Sequence, residues 1–166
     1  MKPFAPLAPV LLLGLALGCG KSDCCPDSEH GDKKKPAATA RHHHEPPHGG
    51  TAVTLGDEEG HLEFVRDAAT GKLTAYLLKP HMTAFWRTSA TQFEVTAKVG
   101  DKTETLLFKA IANAATGETV GDTAQFEAQA DWLKTADKFD ATLVELNLNL
   151  PGKSFKVVPF NFPKGN

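Results

Sequence analysis

Four histidines lie in one short polar stretch, RHHHEPPHGG, which occupies residues 41–50. They are His42, His43, His44 and His48. Neutral imidazoles, with the carboxylate of Glu45 among them, are ligands that Zn²⁺, Cu²⁺ and Ni²⁺ accept. Because a flexible segment must be ordered before it can wrap an ion, we expect these histidines to collect Zn or Cu with modest affinity. The alternative is a solvated linker whose histidines bind metal only incidentally.

A second set of potential ligands lies in the stretch HMTAFW, residues 81–86. His81 offers an imidazole, Met82 a thioether and Trp86 an aromatic face, and this combination suits Cu(I) because sulfur is a soft ligand. In the alternative interpretation, the apolar side chains close one end of the core and His81 faces water. His61 lies on the face of its strand opposite Leu62 and is predicted to be a surface residue or a sheet-face residue.

No motif in the sequence predicts catalysis. A Gly-rich phosphate loop and a nucleophile elbow are both missing from the printed chain. The formal net charge of −2 argues against nucleic acid as a partner, because phosphate binding needs a concentrated basic face. We therefore expect a non-catalytic protein.

The N-terminus predicts export and a lipid anchor. Residues 1–18 combine a basic residue with a Leu-rich run that is shorter than the roughly 20 residues of a permanent membrane span, as in a signal peptide. The run ends in Ala-Leu-Gly-Cys, which resembles the lipobox of bacterial lipoproteins. The resemblance implies that Cys19 is lipidated and attaches the protein to the periplasmic face of the inner or outer membrane. An ordinary cleaved signal that leaves a soluble exported protein is the alternative.

Residues 19–50 contain almost no large apolar side chain and are predicted to form a disordered, His-rich tether. Cys24 and Cys25 are adjacent, and neighbouring cysteines rarely pair with each other because the ring is strained. They could ligate a soft metal, bridge to another chain or remain thiols.

Residues 51–166 are predicted to fold as one domain whose polar and apolar residues alternate with the period of β-strands. The clearest hairpin joins residues 92–99 to 102–111 through Gly100-Asp101, and a second turns at residues 67–71. A third joins residues 144–150 to 155–162, with a bulge or an edge strand expected near Pro159. A strand through Phe126 followed by a short helix over about 128–136 fits the intervening segment. The pattern favours an all-β, antiparallel, immunoglobulin-like β-sandwich of about seven strands with one short helix.

A family resemblance covers most of residues 48–150. The segment HGGTAVTLGDEEGHLEFVRDAATGKLTAYLLKP, followed by QFEAQADWLKTADKFDATLVELNL, is similar to poorly characterised exported bacterial lipoproteins. It also resembles the N-terminal segment of periplasmic adaptor subunits of heavy-metal efflux systems. The resemblance implies a metal-related accessory role with an efflux adaptor, or another envelope protein, as partner. A protein-interaction or structural module with no metal role is the alternative.

Overall fold

Segments in which apolar and polar residues alternate form the strands of one antiparallel sheet. The structure is a computed structural model that describes residues 44–166. Over this range the strands are β1 (Thr51–Leu55), β2 (Gly60–Asp67), β3 (Lys72–Leu78), β4 (Gln92–Val99), β5 (Lys102–Ala110), β6 (Gln125–Gln129), β7 (Phe139–Asn147) and β8 (Ser154–Phe162). The predicted all-β, antiparallel fold class is confirmed.

The eight strands that the described residues form belong to a single, nearly closed sheet in the order β1-β2-β3-β6-β5-β4-β7-β8. The sheet curls until its first and last strands come into contact. An immunoglobulin-like sandwich would divide about seven strands between two sheets. The described residues instead form eight strands in one sheet. The sheet is continuous because β3 pairs with β6, and β5 pairs with both β4 and β6.

Aromatic rings fill the interior of the curled sheet. Phe64 of β2 stacks on Phe160 of β8 with ring centroids 4.9 Å apart, and Phe93 of β4 stacks on Phe108 of β5 at 4.8 Å. All four side chains are buried. Burial of each such side chain stabilises the fold by roughly 1.5–3 kcal/mol, so this interior is the main source of stability for the sheet.

The predicted turns are present where the sequence places turn-forming residues. Between β2 and β3, Oδ1 of Asp67 accepts the backbone N–H of Ala69 at 2.9 Å, and Gly71 has a φ of 70°. An L-residue with a side chain rarely adopts that φ, which explains the glycine. Gly100 and Asp101 connect β4 to β5 as expected.

Two predictions for the second half of the domain are confirmed in part. The short helix expected over about 128–136 is a 3-10 turn, Asp131–Lys134, which follows β6 and buries Leu133. A second 3-10 turn, Pro80–Met82, follows β3. β8 is an edge strand, as the proline at 159 predicts. The break in its alternation falls at Val157, which has a φ of 51° and is exposed.

The segment before β1 differs from the predicted tether over its last residues. Residues 44–50 lie against β2, so the ordered body begins before the boundary expected between residues 50 and 51. The predicted signal peptide, Cys19, Cys24, Cys25 and the rest of the tether lie outside the described residues. Within residues 44–166, no helix is both long and apolar enough to cross a membrane.

Candidate metal site

The outer face of β2 buries polar residues that alternation alone assigns to solvent. His61 is 2% exposed and Glu63 is 0% exposed, although the core-facing residues of this strand are Leu62 and Phe64. Both faces of the strand are covered because residues 44–50 and the loop after β3 lie over its outer side. Of the two positions predicted for His61, the sheet face is right and the exposed surface is wrong, and its placement opposite Leu62 is right.

Glu63 fixes the segment before β1 to the sheet. Its Oε1 accepts the backbone N–H groups of His48 at 2.8 Å and Gly50 at 2.9 Å, and its Oε2 lies 2.8 Å from Nδ1 of His48. Gly50 is required here because a Cβ would lie 2.5 Å from the carbonyl oxygen of Phe64. These bonds satisfy a buried carboxylate and set the position from which His44 reaches the sheet.

Three potential metal ligands converge beside the start of β2. His44, Glu58 and His81 each offer one ligand atom, and these atoms all lie within 4.8 Å of one another. Nε2 of His44 is 3.3 Å from Nδ1 of His81. The three residues come from the segment before β1, the turn between β1 and β2, and the 3-10 turn after β3. The fold thus joins side chains that are far apart in sequence.

The backbone at two of these ligands has an unusual conformation. Glu58 has a φ of 61° and His81 a φ of 57°, in the left-handed region that non-glycine residues seldom occupy. Holding a residue there costs roughly 1–3 kcal/mol and persists only where surrounding bonds determine it. The N–H of Glu59 donates to the Leu55 carbonyl, and the N–H of Met82 to the Lys79 carbonyl, both at 3.0 Å. These bonds hold the turns in which the two residues lie.

His61 lies next to this cluster. The centroid of its ring is 5.8 Å from that of His44, and its Nδ1 is buried without a hydrogen-bond partner among the described residues. An unsatisfied buried polar atom costs about 1–3 kcal/mol and calls for an explanation such as an ordered water or an ion. Burial and then the neighbouring His44 lower the pKa of His61, against smaller opposing effects of the Lys79 backbone and Glu58. The neutral imidazole that binds metals is thus favoured.

The cluster offers the types of donor that a divalent transition-metal ion accepts. Imidazole nitrogen and carboxylate oxygen are the donors that Zn²⁺ accepts, and two or three imidazoles with one carboxylate match sites that hold such ions. His81 is exposed, and His44 and Glu58 are half-buried, so an ion could enter from solvent.

The predicted ligands divide among three places. His44 and His81, predicted as parts of separate sites, lie together. His48 contacts Glu63 and stacks on Tyr76 with ring centroids 3.9 Å apart, outside the cluster. Met82 follows His81 in the same 3-10 turn and is half-buried. His42 and His43 lie outside the described residues.

Sequence reasoning missed Glu58, His61 and Glu63. The turn Gly-Asp-Glu-Glu-Gly before His61 presents three acidic residues, but nothing local shows which one faces a histidine. The pattern H-x-E on an alternating strand places His61 and Glu63 on one face. Recognising their burial needs the knowledge that residues 44–50 cover that face.

A cavity of about 180 Å³ lies on the other side of His48. Its lining includes Tyr76, Phe85 and Glu118. The carboxylate of Glu118 accepts the N–H of Ala124 at 2.8 Å and the hydroxyl of Thr116 at 2.6 Å, and Arg87 lies 3.9 Å away. Phe85 is 47% exposed, so the cavity has an apolar rim open to solvent.

Comparison of the chain with models of known families, with curated proteins and with solved structures gives no match.

Proposed function

We propose that the protein is a lipid-anchored, non-catalytic, periplasm-facing lipoprotein that captures a divalent transition-metal ion, Zn²⁺ or Cu²⁺, as an accessory to metal efflux. The observation that supports this proposal most is the convergence of His44, Glu58 and His81, whose ligand atoms lie within 4.8 Å of one another.

The sequence before His44 fits the same role. His42 and His43 directly precede the residue that reaches the cluster, so the tether can collect ions and pass them to a site on the domain. The lipobox-like Cys19 would keep this collector at the membrane surface, where an efflux system takes up its cargo. Each of these features is an expectation from the sequence and is open to test.

Isothermal titration of the purified protein with Zn²⁺ and with Cu²⁺ tests metal capture. We expect one ion per chain, with an affinity that falls by at least about tenfold in H44A, E58Q or H81A, since even outer-shell changes cost 10–100-fold. The matched controls are H43A, a histidine next to His44, and D57N, an acid next to Glu58. Both controls should retain the affinity of the unchanged protein.

Two results would reject the proposal. One is binding no tighter than that of a scrambled linker of the same composition. The other is an equal loss of affinity in H43A and H44A, which would show that any tether histidine serves and that the cluster does not select the ion.

The second candidate function is a protein-interaction module of the cell envelope. It is favoured by the exposed ring of Phe85 at the rim of the cavity beside Tyr76 and His48. Replacement of the four histidines at positions 42, 43, 44 and 48 by Ser separates the two functions. Unchanged metal tolerance of the cells, together with retention of a cross-linked envelope partner that F85S loses, would favour the interaction role.

A further inference from the structure

We propose that His61 is the fourth ligand of the His44–Glu58–His81 site, so that three imidazoles and one carboxylate hold a tetrahedral Zn²⁺ ion. This inference rests on the proposed metal capture and specifies its inner ligand and its metal. The sequence alone does not predict this role for His61, because alternation places the residue on the outer face of its strand.

His61 lies close to the cluster and is more buried than its other histidines. Its ring lies 5.8 Å from the ring of His44, which in turn lies 5.1 Å from the ring of His81. The residue is 2% exposed, whereas His81 is exposed to solvent. His61 therefore lies on the buried side of the cluster and His81 on the open side, and an ion between them would have ligands from both directions.

One ring nitrogen of His61 is in a position to bind an ion. Nδ1 is buried and has no hydrogen-bond partner among residues 44–166. An unpaired Nδ1 can offer its lone pair to an ion when the proton of the ring is on Nε2.

The types of donor atom favour Zn²⁺ over Cu²⁺. Three nitrogens and one oxygen on a tetrahedron suit Zn²⁺, whereas Cu²⁺ prefers a square-planar or tetragonal arrangement. The donors here come from four separate segments, with His61 on β2 and the other three on the segment before β1, the turn between β1 and β2, and the 3-10 turn after β3.

The test uses Co²⁺ as a spectroscopic substitute for Zn²⁺ in protein that carries C19S, C24S and C25S, so that no thiol contributes. We expect one Co²⁺ per chain with the intense visible absorption of a four-coordinate ion. In H61Q this absorption should weaken toward that of five or six coordination, and Zn²⁺ affinity should fall by at least about tenfold. The control D57N, at an acid next to Glu58 that is not among the proposed ligands, should change neither quantity.

The outcomes separate the inference from the proposed function. If the unchanged protein binds one ion and H61Q matches it in affinity and absorption, His61 is not a ligand, and metal capture stands. If the unchanged protein binds no ion, metal capture itself fails. If far-UV circular dichroism shows that H61Q does not fold, X-ray absorption at the zinc edge decides instead. Measured in protein with H42Q and H43Q, three imidazoles on zinc would support His61, and two would overturn it.

Discussion

Glu63 is a fully buried carboxylate, and its three donors all come from the short segment before β1. Replacement by Ala would leave the backbone N–H groups of His48 and Gly50 without their acceptor. We expect E63A to lower the free energy of unfolding by about 2–3 kcal/mol, since buried hydrogen bonds to charged groups are among the stronger ones. Urea unfolding measures this loss.

The control for this prediction is E94A, which removes an exposed glutamate from β4. It should change the free energy of unfolding by less than about 0.5 kcal/mol, as surface substitutions usually do. Equal losses in the two variants would mean that residues 44–50 contribute nothing to the stability of the sheet.

Glu118 gives the molecule a pH-dependent contribution to stability. Burial opposes its charged form, but hydrogen bonds from Thr116 and Ala124 and the charge of Arg87 outweigh that effect and lower the pKa of Glu118 below 4.5. Because the folded-state pKa is lowered, the stabilisation is complete above the ordinary pKa and is lost as the pH falls through the lowered one. We expect E118Q to be less stable at pH 7 by about 1–2 kcal/mol.

The difference between E118Q and the unchanged protein should shrink as the pH falls below the ordinary pKa of a glutamate, about 4.3, and then through the lowered folded-state pKa. Urea unfolding at several pH values measures it. A difference that stays constant over this range would show that the charge of Glu118 is not what stabilises the fold.

Residue types alone predicted two of the cluster's ligands, His44 and His81, as metal-binding. They could not predict that the two residues meet, because that contact depends on how Glu63 holds the segment before β1. A place beside the cluster was not predicted for Glu58 or His61 for the same reason. Their burial and orientation are set by chain segments that are distant in sequence, and periodicity reports only local structure.

At the scale of elements, hairpins were the best predicted feature. The turns at residues 67–71 and 100–101 carry their own chemistry in Asp67, Gly71 and Gly100, so the sequence specifies them locally. The pairing of β3 with β6 and of β4 with β7 joins strands that lie far apart in sequence. No turn residue encodes those pairings, which is why one continuous sheet was predicted as two.

The segment before β1 offers a test that changes no ligand. In G50A the added Cβ would meet the carbonyl oxygen of Phe64 and displace the segment from β2. We expect a loss of about 1–3 kcal/mol in the free energy of unfolding, as overpacking usually causes, together with weaker Zn²⁺ binding because His44 moves. Urea unfolding and isothermal titration measure the two effects.

Its control is G117A, in a loop where a Cβ would meet nothing within 4 Å. The φ of 69° at this position makes alanine unfavourable, so stability should fall while Zn²⁺ affinity stays the same. If G50A bound Zn²⁺ as tightly as the unchanged protein, the position of His44 would not depend on the contact between this segment and β2.

At the scale of the whole molecule, the predicted anchor lies outside the described residues and is tested by fractionation. The two or three acyl chains of a mature lipoprotein hold it firmly on a membrane, whereas a protein without them has no such attachment. We expect C19S to move from the membrane fraction to the soluble fraction, while C24S remains with the membrane. A C19S protein that stays fully membrane-bound would contradict lipidation at this residue.

Metal binding should also stabilise the molecule as a whole, because the cluster requires the segment before β1, the turn between β1 and β2, and the 3-10 turn after β3 to be in place together. A ligand that binds only the folded state stabilises it by about 2.7 kcal/mol at a free concentration of 100 times Kd. We expect Zn²⁺ to raise the free energy of unfolding by about this amount and to slow hydrogen exchange at residues 44–50.

In H44A the ion should have neither effect, and H43A should behave like the unchanged protein. Slower exchange in H44A as well would show that Zn²⁺ acts elsewhere on the chain, since only His44 links this segment to the cluster by a metal ligand.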